Sequence, residues 1–185
     1  MSRSETYKTN LGRLTPNGFS LIELLVVVAI ILIIAAIAVP QLLRARIAAN
    51  EAAAGECVRT LTTASMAYSS TWGNGFPPSL ATLGGIAGAA ATCDQADLMD
   101  PIIVTPPNQK SGFTFAYTPV GATVIPPAGC TAPGASAYLI TATPISLNIS
   151  GVRSFCSDEP GVIHYDPTGV TAGSQAACEA LSPLQ

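Results

Sequence analysis

From Phe19 to Val39 the chain is apolar at every position except Ser20 and Glu23, and from Leu24 to Val39 no polar side chain occurs. A helix over Phe19–Val39 is roughly 31 Å long, the thickness of a bilayer hydrocarbon core. A carboxylate at the centre of such a segment costs about 2.5–3.5 kcal/mol and somewhat less near an end, so a simple anchor gains nothing from Glu23. The acid needs a partner or a task. Pro40 closes the run; it lacks an amide donor and is expected to kink or locally melt the helix there. Helical composition resumes at Gln41. Leu43, Ile47, Ala54, Val58, Leu61, Ser65 and Tyr68 follow spacings of three, four or seven and mark one face, while Arg44, Arg46, Glu51, Glu56 and Arg59 fall mostly elsewhere. The pattern predicts a helix from about Phe19 to Ser70, stopped by Gly73, Gly75, Pro77 and Pro78.

Beyond the rod the pattern changes to loops and short alternating runs. Ser79 to Gly84 reads as a single helical turn, and Asp97 to Val104 as another, broken by Pro101. Four segments read as strands: Phe113 to Val120, Ser136 to Thr143, Val152 to Ser157 and Val162 to Asp166. The first alternates Phe113, Phe115 and Tyr117 on one face, and SDEPG joins the last two as a hairpin. The predicted fold is α+β: a long N-terminal helix with a small antiparallel sheet packed on its distal half. The chain then divides into a polar leader at 1–18, an apolar helix at 19–39, its amphipathic continuation at 40–71, and a β-rich head at 72–185.

Composition narrows the class. Of 185 residues 49% are hydrophobic and only 10% charged, against about 25% charged in an ordinary soluble domain. Six of the eight bases precede residue 60, and beyond it acids dominate. That leaves no basic nucleic-acid footprint. Cys57, Cys93, Cys130, Cys156 and Cys178 all lie after the apolar run, without metal-ligand spacing, and read as disulfide cysteines of an oxidising compartment. Five is odd, so one thiol is left over. Spacing does not fix the pairing; the expectation is Cys57 with Cys93, and Cys156 with Cys130 or Cys178.

The leader excludes a secretory signal peptide, because the polar basic stretch precedes the apolar run and ends in a small residue on the wrong side of it. The order Gly18, Phe19, Ser20, Leu21, Ile22, Glu23, followed by the apolar run and Pro40, resembles the prepilin peptidase signature of type IV pilins and type II secretion pseudopilins. The resemblance implies cleavage between Gly18 and Phe19, N-methylation of Phe19, and pairing of Glu23 with the methylated amine of a neighbouring subunit. It also implies a helix bend at Pro40, self-association into a helical filament, and partners in prepilin peptidase, an inner-membrane assembly platform and, before assembly, membrane lipid. The expected location is the bacterial inner membrane, single pass with the head in the periplasm, then an extracellular pilus or a periplasmic pseudopilus.

Catalysis and cofactors are not expected. A hydrolase built on Cys156, His164 and Asp166 needs a free thiolate beside its base, and Cys156 is expected to be oxidised. The family's major pseudopilins suggest calcium, with Asp158 and Asp166 as candidate ligands, although their spacing matches no ligand loop. The alternatives carried forward are a type II secretion pseudopilin and, more remotely, a periplasmic binding module that uses the apolar run only as an anchor.

Overall fold

The computed structural model describes residues 19–184; the predicted leader with Gly18, and Gln185, lie outside the described residues. The elements are α1 (Leu21–Trp72), a 3₁₀ turn (Leu80–Leu83), α2 (Pro101–Val104), β1 (Gln109–Lys110), β2 (Phe113–Val124), β3 (Gly134–Pro144), β4 (Ser154–Asp158), β5 (Ile163–Asp166), α3 (Gln175–Glu179) and β6 (Ser182–Pro183). Two compact units divide the chain after Pro40.

The first unit contributes the start of α1. All its described residues are exposed except Ala35, which is half-buried. Pro40 lies inside α1, and helix is assigned on both sides of it. The local melting expected there does not occur: one missing amide donor removes one hydrogen bond, and the flanking turns keep theirs.

The second unit holds the rest of α1 and the head. Its six strands form one antiparallel meander, β1-β2-β3-β4-β5-β6. Because side chains alternate along a strand, each strand has an inner and an outer set. Phe113 and Phe115 of β2, Tyr138, Ile140 and Ala142 of β3, Phe155 of β4 and Ile163 of β5 form the inner set. They share one core with Ala54, Val58, Leu61, Ala64 and Tyr68 of α1. Truncating a residue as central as Ile140, fully buried, would cost about 2–5 kcal/mol. On the other side of the sheet Leu139, Cys156 and Cys178 make a second cluster. The central strand β3 is therefore covered on both faces, by α1 on one and by the α3 segment on the other.

Several expectations need correction. The buried stripe of α1 begins at Glu51; Leu43 is 54% exposed and Ile47 half-buried, because head residues cover the helix only from there. Pro101 starts α2 rather than breaking a turn: its fixed φ suits the first helical position, and the Asp100 carboxylate caps it by accepting from the Ile102 N–H at 2.9 Å. Disulfides join Cys93 to Cys130 and Cys156 to Cys178, and Cys57 is the free thiol. The expected Cys57–Cys93 pair is thus wrong. Cys57 lies on α1 with its thiol half-buried, whereas Cys93 sits in the loop region where the chain near Cys130 crosses it.

Candidate functional site

The N-terminal end of the described chain brings Phe19 and Glu23 together at the start of α1. Phe19 is exposed and lies just outside the helix, and Glu23 occupies the first turn. The Ser20 backbone N–H donates to Glu23 Oε2 at 3.0 Å. The first amides of a helix have no intrahelical acceptor, and the positive end of the helix dipole favours an anion there. Glu23 thus takes a donor from its own helix, beside the residue that cleavage would make the new N-terminus. From Leu24 to Val39 every large side chain is at least 46% exposed.

The other predicted residues are spread over the head. Cys156 pairs with His164 in the β4–β5 register, but its sulfur is bonded to Cys178, whose Sγ lies 4.0 Å from His164 Nδ1. No thiolate faces the imidazole, and the hydrolase arrangement is not assembled. Burial pushes the Cys57 thiol up to about 11. Asp166 is engaged in a turn contact, its Oδ1 accepting from the Thr168 N–H and hydroxyl at 2.7 and 2.6 Å. Asp158 sits at the opposite end of the hairpin. Ser154 faces Asp166 in register, so the two acids are four pair positions apart, roughly 13 Å. Among the described residues no group of three or more His, Cys, Asp or Glu side chains is placed to hold a metal.

Asp158 is nevertheless unusual. It is completely buried, and neither carboxylate oxygen has a hydrogen-bond partner. Burial, and then the Glu179 carboxylate on α3, push its pKa above the ordinary range of an aspartate and so favour the protonated form.

One residue that periodicity placed off the packed face turns out to anchor the head. Glu51, 6% exposed, accepts the Val152 and Arg153 backbone N–H groups on Oε1 at 2.8 and 3.0 Å, and the Arg153 guanidinium on Oε2 at 2.8 Å. Burial alone would raise its pKa, yet the two amides and the guanidinium together hold it below the usual carboxylate range. The guanidinium also lies over the rings of Tyr165 and Phe155, 5.3 and 5.8 Å from their centroids. Next to it the Asn50 side chain donates to Ser150 O at 2.9 Å. The signal was present in the sequence: Ile47, Glu51, Ala54 and Val58 follow one another at spacings of four, three and four.

Comparison with curated proteins and comparison with solved structures each gave no match. Residues 15–39 match the family model of the prokaryotic N-terminal methylation motif, so the chain carries the prepilin-type motif formed by Gly18, Phe19, Glu23 and the apolar run.

Proposed function

We propose that the chain is a type IV pilin-like structural subunit of a bacterial surface filament. Prepilin peptidase removes residues 1–18 at the cytoplasmic face of the inner membrane, Phe19 is methylated, and subunits polymerise through α1 on an assembly platform. The observation that carries this reading is the exposed apolar surface from Leu24 to Val39 with one acid, Glu23, in its first turn beside the cleavage position. A bilayer covers that surface before assembly, and the helices of other subunits cover it afterwards. Glu23 then exchanges a local amide donor for the charged amine of a neighbour, because a charge in an apolar core is tolerated only when a complementary charge meets it. The role of the chain is assembly rather than catalysis, and no cofactor is assigned to it.

Two disulfides that clasp the head, one of them tying down the C-terminal α3, favour a pilus subunit over a secretion pseudopilin. A calcium-dependent melting temperature would favour the pseudopilin instead. Processing is tested by intact mass after expression with a prepilin peptidase. Loss of residues 1–18 with gain of one methyl group is expected. A full-length mass in the presence of an active peptidase would contradict the reading and leave the apolar run as an anchor.

A further inference from the structure

The head carries an exposed apolar patch that its own fold does not explain. Ile145, Leu147 and Ile149 in the β3–β4 loop are 50, 50 and 73% exposed, and Val170 in the β5–α3 loop is 61% exposed. A surface of this kind marks an interaction site more often than chance. The patch is held in place. Ile145 N–H donates to Gly112 O and Ser146 N–H to Ser150 Oγ, while Asn50 and Glu51 fasten Ser150, Val152 and Arg153 to α1. The Ser154 hydroxyl donates to Val170 O, which ties the second loop to the start of β4, directly after the first.

Where the β3–β4 loop meets α1 there is an open groove of about 430 Å³ lined by Ile47, Ala48, Val152 and Pro167, with Arg44, Glu51 and Arg153 as its polar members. Arg44 is exposed and has no ion pair among the described residues. Leu42 and Leu43, 69 and 54% exposed, extend the apolar surface along α1 itself.

We propose that this patch and groove are a docking surface for α1 of a second copy of the chain, a reading that rests on the filament assignment above. Two observations select the occupant. The surface is continuous with the exposed apolar side of α1, the element through which copies are proposed to associate. In addition the β3–β4 loop presents irregular backbone, which lipid hydrocarbon does not tolerate at an exposed surface. A helix satisfies its own backbone groups and offers a ridge of apolar side chains, the shape and chemistry that an apolar groove accepts.

The test uses the full chain expressed with prepilin peptidase and the assembly machinery. Ile149→Asp is expected to lower the yield of sheared filament by at least about tenfold, while processing and the unfolding midpoint of the subunit stay as in wild type. Ile125→Asp, at a residue 89% exposed in a different loop, is the control and leaves the yield unchanged. A photoreactive p-benzoylphenylalanine at position 149 is expected to cross-link to α1 of a second copy, as mapped by mass spectrometry. Adducts to lipid only, or normal filament yield from Ile149→Asp, would overturn the docking surface while leaving the filament reading intact. A wild-type chain that is neither cleaved nor polymerised would overturn both.

Discussion

Two buried carboxyl groups of the second unit, Glu51 on α1 and Asp158 in the head, sit in opposite circumstances. Glu51 is fully partnered, so its ionised form is favoured in the folded state. Its contribution is present above the unfolded carboxylate value of about 4.3 and is lost as pH falls through the depressed folded value. Glu51→Ala strips acceptors from two loop amides and from Arg153, and should lower stability by about 2–4 kcal/mol in chemical unfolding at pH 7. Asp158 has no hydrogen-bond partner, and its folded-state pKa lies above the unfolded value of about 3.9. Stability from holding its proton is present below that pH and drains away as pH rises through the raised folded value. Asp158→Asn should therefore raise the thermal midpoint at pH 7 and flatten the fall from about pH 4 upward. A variant less stable than wild type at pH 7 would show that the carboxylate has a stabilising partner in the folded protein. Cys57, half-buried and with its thiol held to about 11, should resist alkylation at pH 8 in the native protein and react once the protein is unfolded.

At the scale of elements, disulfides do much of the stapling. The Cys156–Cys178 bond spans 22 residues and attaches α3 to β4, and the Cys93–Cys130 bond spans 37. Loops of that length correspond to about 3–4 kcal/mol each in the chain-entropy account. Replacing Cys156 and Cys178 together by Ser should cost about that much and speed hydrogen exchange at the Cys178 and Ala180 amides of α3. Unchanged exchange there would mean that α3 docks without its staple. The long helix and the strands β2 to β5 were legible in the sequence, because apolar runs, alternation and turn residues each write a period into the chain. What was not legible depends on contacts between distant residues. Spacing does not encode disulfide pairing. Two-residue strands such as β1 and β6 carry no period, and helical periodicity does not tell where the head begins to cover α1, which is why Leu43 was placed on the packed face. Ser174, whose hydroxyl accepts from the Ala177 N–H, was the available sign of α3.

At the scale of the molecule, the chain divides into a unit with almost no buried surface of its own and a unit with a complete core. The candidate site was readable because it is local: glycine, phenylalanine, glutamate and the apolar run are contiguous, so no folding is needed to bring them together. The anchor at Glu51 and the apolar patch on the β3–β4 loop required the fold. An assembly role is proposed for Glu23. It is tested most directly by recovering sheared filaments from cells that express wild type or Glu23→Ala with the processing and assembly machinery, alongside intact mass of the membrane-held subunit. That role predicts that both chains lose residues 1–18 and that only wild type yields filaments. Equal filament recovery from Glu23→Ala would contradict it.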